Sequence, residues 1–313
     1  MNRTTRREFL RTSSDIGLTT LSITALRPLA AFATPVGLPI GIQLYTVRGV
    51  IQNDTPGTLK QLHDIGYREV ETAGFGKYTA KEFGQLIKDA GLACPSAHLP
   101  LSGDDLTQAF EEAHALGVTY ATSSTLSMSA FRNQRQTAAP GTTLATPAAP
   151  LPRPPIGLDG FKKLATQMNE IGAKAKAAGL QYAYHNHNLE FERMPDGRYG
   201  YDILLNETDV SIVKFEIDCG WMVVGGANPV EYMKKYPNRF RMLHIKDFKA
   251  MPTQPGERPE GCELGAGFID YKPIFAAGKA IGIQHAFAEQ EGPYTKPEIE
   301  SAKIDYIYLH SFS

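Results

Sequence analysis

The sequence predicts a single (β/α)8 barrel preceded by an N-terminal leader. From about residue 39, eight short apolar runs alternate with amphipathic stretches, a pattern typical of βα units that form a parallel sheet. Glycines also fall where helices are expected to end, at Gly66, Gly91, Gly117 and Gly179. Eight such units over about 275 residues fit a closed barrel.

The elements follow one another regularly along the chain. The predicted strands are Ile40–Tyr45, Arg68–Thr72, Ala93–His98, Thr119–Ser123, Gln181–His185, Val213–Asp218, Arg241–Lys246 and Gln284–Glu289. Predicted helices include Thr58–Ile65, Ala80–Ala90, Leu106–Leu116 and Gly160–Ala178. The rival fold, an open doubly wound sheet, typically carries a glycine-rich phosphate loop after its first strand. This chain has Leu44-Tyr45-Thr46-Val47-Arg48 there, so the closed barrel is favoured.

One segment interrupts this alternation. Residues Phe131–Pro155, after the fourth predicted strand, are rich in Ala, Thr and Pro. We expect a long βα loop on the rim of the barrel. A substrate lid and an insertion without a role both stay open.

The first 33 residues are predicted to be a twin-arginine signal peptide, with the barrel domain at 34–313. Arg6-Arg7 is followed by a weakly apolar stretch, Ile16–Leu26, and by an A-x-A cleavage pattern at Ala31-Phe32-Ala33. The apolar stretch is too short for a stable membrane anchor. We therefore expect a periplasmic protein. The alternative is a disordered basic tail that is not a targeting signal.

Composition limits the partners. The formal net charge of -1 and the pI near 6.7 give no electrostatic reason to expect nucleic acid. The three cysteines have no CxxC spacing and do not form a disulfide framework. A small molecule is the expected partner, and a homo-oligomer is left open.

Histidines and acidic residues recur at the ends of the predicted strands. In a barrel these ends meet at one mouth, so residues far apart in sequence become neighbours. One such residue is ordinary on a solvated rim, but several crowded carboxylates need a cation or a proton to coexist. The residues are Glu71, His98, His185, His187, Glu216, Asp218, His244, Lys246, Asp247, Glu289 and Glu291.

Strand alternation indicates which of these side chains point the same way. Residues two apart on a strand face the same side. The pairs that share a face are His185 with His187, Glu216 with Asp218, and His244 with Lys246. Imidazole and carboxylate ligands together suit Mn, Zn, Co or Fe better than Ca, with Mg also open. The sequence thus predicts one divalent metal at the mouth.

Several stretches together resemble the sugar phosphate isomerase/epimerase family of xylose isomerase-like barrels, over residues 39–313. They are Ile40–Arg48, Tyr184–Phe191, Glu216–Trp221, His244–Asp247, Ala288–Glu291 and the glycine-rich Gly265–Asp270. The resemblance implies metal ligands at Asp218, His244 and Glu289. The family's carboxylate on the fifth strand falls on His185, and its histidine after the sixth strand falls on Trp221. We therefore expect His185 as the fourth ligand, and this replacement disfavours a symmetric epimerisation by two carboxylates.

The resemblance implies proton abstraction next to a sugar carbonyl, with isomerisation or epimerisation as the default outcome. Elimination on a keto-glycoside and a non-catalytic sugar-binding barrel remain alternatives. The catalytic candidates are Glu289, His187, Lys246 and Glu216, and the substrate-binding candidates are His98, Glu71, Trp221 and Tyr45. Lys246 either stabilises an oxyanion or forms a rim salt bridge with Asp247 or Glu216. Trp221 and Tyr45 either stack on a sugar face or pack in the barrel.

Overall fold

The computed structural model describes residues 37–124, 156–253 and 257–312. Within them, eight parallel strands close into a barrel in the spatial order β1-β10-β7-β6-β5-β4-β3-β2, which confirms the predicted (β/α)8 fold. The barrel strands are β1 Gly41–Gln43, β2 Glu69–Thr72, β3 Ala93–His98, β4 Tyr120–Ser124, β5 Gln181–His185, β6 Val213–Asp218, β7 Phe240–Ile245 and β10 His285–Ala288.

Helices connect the strands and surround the barrel. In the described ranges they are α1 Arg48–Ile51, α2 Thr55–Ile65, α3 Ala80–Asp89, α4 Thr107–Leu116, α5 Gly157–Ala177, α6 Gly200–Glu207, α7 Cys219–Val224, α8 Pro229–Lys235, α9 Tyr271–Ile281 and α10 Glu298–His310. Two 3-10 turns, Leu44–Val47 and Asn188–Phe191, follow β1 and β5. A small antiparallel pair, β8 Asp247–Phe248 and β9 Gly261–Cys262, lies outside the barrel sheet.

The predicted strands agree with the observed ones to within two residues at each end. The largest difference is at β1, which was expected to reach Tyr45 but ends at Gln43. The chain turns there because the Gln43 side chain accepts a hydrogen bond from the Tyr45 amide at 3.1 Å and begins a 3-10 turn. Gly117 ends α4 as predicted, in the left-handed conformation with φ of 80°.

The interior of the barrel changes from apolar to polar along its axis. A small cluster of Tyr120, Ala183, Met242 and Phe287 fills part of it. Phe287 lies so close to β1 that a Cβ on Gly41 would come within 2.6 Å of its ring, so glycine is needed there. A larger apolar core lies between the strands and the helices. Packing on both faces of the strands, inside the barrel and against the helices, holds the C-terminal strand ends that form the mouth.

Two of the sequence predictions lie outside the described residues: the signal peptide at 1–33 and the loop at Phe131–Pro155. In the part of the chain that is described, no helix combines the length and the apolar character needed to cross a bilayer.

Candidate active site

Strand register brings polar side chains together at the C-terminal end of the barrel. The β5–β6 pairing aligns His185 with Glu216, and the β6–β7 pairing aligns Asp218 with His244. Glu216 and Asp218 are two residues apart on β6 and therefore share a face. All four residues are buried.

The four residues expected to bind a metal lie close together. His185, Asp218, His244 and Glu289 each offer one ligand atom, and these atoms lie within 4.8 Å of one another. The donor set of two imidazoles and two carboxylates matches what Zn and similar transition metals accept. Asp218 Oδ2 also receives no well-directed hydrogen bond, although it is buried. The residues therefore fit a divalent cation.

In His185 and in His244, the two ring nitrogens contact carboxylates on opposite sides of the ring. His185 Nε2 faces Asp218 Oδ2 at 3.8 Å, whereas its Nδ1 lies 3.0 Å from Glu216 Oε2. His244 Nδ1 lies 2.8 Å from Glu289 Oε2, whereas its Nε2 lies 2.7 Å from Glu71 Oε2. One nitrogen of each ring thus faces the expected cation position, and the other faces a deeper carboxylate.

Glu71 and Glu216 form the deeper layer together with His98. His98 Nε2 lies 3.0 Å from Glu216 Oε2 and 3.2 Å from Glu71 Oε2. Although burial opposes it, the charge of Glu71, aided by Glu216, raises the pKa of His98 to about 10. Burial also works against ionisation of Glu71, yet His98 and His244 hold the pKa of that carboxyl well below its usual value. The two buried carboxylates thus favour the protonated form of His98.

This deeper position is a poor fit to two of the expected roles. Glu71 was a substrate-binding candidate and Glu216 a catalytic one, but neither side chain has any exposed surface. Oε2 of each carboxylate contacts imidazoles, and Glu71 Oε1 accepts a hydrogen bond from Ser96. The proposals below therefore give both carboxylates a different role.

Lys246 points into the site, so the alternative of a rim salt bridge to Asp247 or Glu216 is wrong. Its ammonium lies 2.9 Å from Asp218 Oδ2, 2.7 Å from Glu289 Oε2 and 3.2 Å from Glu291 Oε1. Burial alone would lower the pKa of Lys246, but these three carboxylates raise it well above its usual value. The side chain is therefore a fixed positive charge beside the predicted ligands.

Asp247, the next residue, points away from Lys246 into the glycine-rich loop. Its carboxylate accepts hydrogen bonds from the amides of Gly265, Gly267 and Ile269 at 3.1–3.2 Å. A Cβ on Gly267 would lie 2.2 Å from Asp247 Oδ1, so the loop can approach this closely only with glycine there. Asp247 thus anchors a loop at the mouth.

His185 and His187 are the neutral imidazoles of the site. Burial, reinforced by the surrounding positive groups, lowers the pKa of His185 well below its usual value. Burial and the charge of Lys246 lower the pKa of His187 to about 3. The two rings are 4.8 Å apart, but His187 lies beyond the end of β5 and is only partly buried. A neutral imidazole can accept a proton or bind a metal.

The two aromatic candidates differ in exposure. Trp221 is buried against Phe248, 4.9 Å between ring centroids, and the Lys246 ammonium lies 5.3 Å from its ring centre. Tyr45 is 38% exposed on the turn after β1, with the guanidinium of Arg48 4.2 Å above its ring. Trp221 thus lies beside the polar cluster, whereas Tyr45 lies on the rim.

Buried polar atoms without partners concentrate at the mouth. In the described ranges, nine buried side-chain atoms have no hydrogen-bond partner, and six of them belong to residues at or just after strand ends. Because buried polar atoms are normally satisfied, this concentration indicates a ligand site. The six residues are Thr72, His187, Glu216, Asp218, Trp221 and Gln290. Sequence analysis did not single out Thr72, which follows Glu71, and it included Gln290 in the stretch after the last strand without assigning it a role.

The family model for xylose isomerase-like TIM barrels matches residues 59–308. The chain belongs to the xylose isomerase-like TIM barrel family. This confirms the resemblance seen in the sequence. Inosose dehydratase from Clostridium perfringens is 32% identical over 126 residues, which cover 37% of this chain and 41% of the dehydratase. The chain thus matches less than half of that relative's length.

Solved structures of this family share the fold over most of the chain. A sugar phosphate isomerase/epimerase from Parabacteroides distasonis has a TM-score of 0.68 and 27% identity, covering 87% of this chain and 94% of its own. The IolI protein, solved with a zinc atom, has a TM-score of 0.61 and 15% identity, covering 88% of this chain and 98% of its own. The second likeness shows the fold alone. The named relatives are enzymes that process sugars or sugar-like compounds.

Proposed function

We propose that this protein is a divalent-metal-dependent enzyme that removes a proton next to the carbonyl of a sugar-like ketone. The convergence of His185, Asp218, His244 and Glu289 supports this proposal most strongly. The family and the sugar-processing relatives agree with it.

The cation would be held by His185 Nε2, His244 Nδ1 and the carboxylates of Asp218 and Glu289. When bound, it supplies a Lewis acid that polarises a carbonyl oxygen. Five carboxylates are buried in and under the mouth: Glu71, Glu216, Asp218, Glu289 and Glu291. The positive groups described among them, Lys246 and His98, offset only part of this charge, which supports a cation. The mixed nitrogen and oxygen donors favour Mn, Zn, Co or Fe over Mg.

His187 is the proposed proton acceptor. Its imidazole is partly exposed, its Nδ1 has no hydrogen-bond partner, and it is free of the carboxylate contacts that engage His98 and His244. Lys246 lies between the expected ligands and Trp221, and its ammonium can stabilise the negative charge that develops on the substrate oxygen. Trp221 Nε1 and Gln290 Oε1 are buried without partners and would bind substrate hydroxyl groups.

Elimination is the outcome we favour. Epimerisation by two carboxylates needs one on each face of the substrate, but the fifth strand ends in His185, which is buried and neutral. Removing one proton and expelling a leaving group from the next carbon needs a single base. The dehydratase relative points the same way, since dehydration is an elimination of water. Isomerisation is the second candidate, favoured by the name of the Parabacteroides distasonis structure.

Solvent deuterium exchange tests the proposal. The protein, loaded with a transition metal, is incubated in D₂O with a panel of keto-sugars and keto-glycosides. We expect deuterium at a carbon next to the carbonyl, and an unsaturated product where a leaving group is present. His187→Gln should slow exchange about 10²–10⁴-fold, and Glu289→Gln should abolish it.

His114→Gln is the matched control, since His114 is exposed on α4 and should leave exchange unchanged. An epimer or isomer without unsaturation would move the conclusion to the second candidate. Sugar binding without a metal and without exchange would contradict both and support a non-catalytic sugar-binding barrel.

A further inference from the structure

Beneath the expected cation, two carboxylates contact the histidine nitrogens that do not face it. Glu216 Oε2 lies 3.0 Å from His185 Nδ1 and 3.2 Å from His244 Nε2. Glu71 Oε2 lies 2.7 Å from His244 Nε2. These contacts lie on the side of each ring opposite Asp218 and Glu289.

We propose that Glu216 and Glu71 are positioning residues that select the metal-binding tautomers of His185 and His244. This inference rests on the proposed function, because it assumes a cation at the four expected ligands. Glu216 would keep the proton of His185 on Nδ1, and Glu71 with Glu216 would keep the proton of His244 on Nε2. The lone pairs of His185 Nε2 and His244 Nδ1 would then face the cation.

The carboxylates can select a tautomer because of the hydrogen bonds that carboxylate and imidazole groups can form. A carboxylate only accepts hydrogen bonds, so a ring nitrogen that contacts it carries the hydrogen unless a cation lies between the two groups. The expected cation would lie between His244 Nδ1 and Glu289, whereas no ligand position is expected between His244 Nε2 and Glu71. A neutral imidazole carries one hydrogen, which leaves its other nitrogen with the lone pair that a metal requires. Ligand histidines commonly make such a hydrogen bond through their second nitrogen, and the partner fixes both tautomer and ring orientation.

The surroundings of Glu71 hold it as an acceptor. Its Oε2 receives a hydrogen bond from Gln43 Nε2 at 2.7 Å, and its Oε1 receives one from Ser96 Oγ at 2.5 Å. Gln43 and Ser96 lie on the strands on either side of β2. With a donor on each oxygen, the carboxylate cannot rotate without losing buried hydrogen bonds. Its contact with His244 is therefore set by the barrel framework.

The competing interpretation is that the deeper groups themselves hold a second cation. His98, His185, Glu216 and His244 also offer ligand atoms within 4.8 Å of one another. A single cation held there would make Glu216 a ligand, whereas two cations at once would use both ring nitrogens of His185 and His244, which requires an imidazolate. The stoichiometry of binding separates one cation from two. Asp218→Asn separates the two positions, because Asp218 belongs to the expected ligands and not to the deeper group, and unchanged Zn²⁺ affinity in that variant would overturn the inference.

Substitution of Glu216 by Gln tests the inference. The amide keeps the size of the side chain but can donate to His185 Nδ1, which would move the ring proton to Nε2 and block the ligand atom. Zn²⁺ affinity is measured by competition with a chromogenic chelator. We expect one Zn²⁺ per wild-type chain and an affinity lowered about 10–100-fold in Glu216→Gln.

Glu69→Gln provides a matched control. Glu69 lies on the same strand as Glu71 and contacts His285 Nδ1 at 2.9 Å, but near the opposite end of the barrel strands. It should leave Zn²⁺ affinity unchanged. Urea unfolding of the metal-free proteins separates positioning from folding, because a merely structural role would lower stability without lowering Zn²⁺ affinity. If Glu216→Gln does not fold, Glu71→Gln is measured in its place, with an expected loss of about tenfold.

The outcomes are distinguishable. Wild-type binding of one Zn²⁺ with unchanged affinity in a folded variant would overturn the inference alone. Two Zn²⁺ ions per wild-type chain would overturn it in favour of a second cation site. No Zn²⁺ on the wild type would overturn the proposed function together with the inference.

Discussion

The side chain of Lys246 is 1% exposed, and its ammonium contacts Asp218, Glu289 and Glu291. A buried charge of this kind contributes little net stability, yet removing one partner leaves the others without compensation. Lys246 and a bound cation would offset the same carboxylates. Stability of the metal-free protein should therefore depend on Lys246 more than stability of the metal-loaded protein does.

We predict that Lys246→Met lowers the free energy of unfolding of the metal-free protein by about 3–5 kcal/mol, as expected when a buried ion pair is broken. Saturating Zn²⁺ should restore part of the loss, because it offsets the same carboxylates. Urea unfolding with and without Zn²⁺ measures both effects. The control is Lys249→Met, whose salt bridge to Glu260 is exposed and should matter little. Equal losses in the two variants would contradict this account.

At the residue scale, the sequence was sufficient to predict that the four expected ligands lie close together, but not to predict the layer beneath them. His185, Asp218, His244 and Glu289 stand at strand ends, so the fold class alone places them together. The surroundings of Glu71 depend on Gln43 and Ser96, which join it only through the register of neighbouring strands. The carboxylates that contact Lys246 depend on the conformation of its side chain just after β7, and the spacing of residues in the sequence does not specify that conformation.

At the element scale, helix α10 packs a buried acid against the glycine-rich loop. Asp305 Oδ1 accepts a hydrogen bond from the Leu264 amide at 2.8 Å, and its Oδ2 has no partner. Burial, with further repulsion from Glu263 and Asp247, raises the pKa of Asp305 to about 7. The folded protein therefore keeps a proton on this carboxyl at pH values where the unfolded chain has lost it.

We therefore predict that Asp305→Asn raises the free energy of unfolding by an amount that depends on pH. The carboxyl ordinarily titrates near pH 3.8, so between about pH 4 and pH 7 the folded state binds more protons than the unfolded state. The contribution of Asp305 to the free energy of unfolding thus falls as pH rises through this window. Asp305→Asn should be nearly neutral at pH 4 and stabilising at pH 8, by at most about 4 kcal/mol.

Urea unfolding of wild type and Asp305→Asn at several pH values measures the difference, in which the titration of other groups cancels. Asp64→Asn is the control, because Asp64 is exposed on α2 and its pKa is lowered rather than raised. If the stabilisation of Asp305→Asn relative to wild type does not grow with pH, Asp305 is ionised in the folded protein, which contradicts the prediction.

Longer elements were predicted better than short ones. The βα repeat specifies β5 and β6 to the residue, since each is an apolar run that ends in polar ligands. The six-residue helix α7 and the β8–β9 pair were not foreseen. They depend on local contacts, such as Asp218 accepting the Trp221 amide at 2.8 Å, rather than on periodicity.

At the scale of the whole molecule, the closed barrel brings six strand ends that are far apart in the sequence to one mouth. The family match agrees with this architecture. A formal net charge of -1 does not reveal that five carboxylates are buried at one end of the barrel, next to the positive groups Lys246 and His98. The crowding of these carboxylates supports the proposed cation. Periplasmic export through residues 1–33 stays a prediction, which cell fractionation of wild type and of an Arg6→Lys, Arg7→Lys variant checks.

Metal stoichiometry tests the central claim most directly. The purified protein is stripped with chelator, equilibrated with limiting Zn²⁺ or Mn²⁺, and analysed by titration calorimetry beside Asp218→Asn and His244→Gln. The account predicts about one ion per wild-type chain and a large loss of affinity in both variants. Absence of binding to the wild type, or binding that neither substitution weakens, would contradict it.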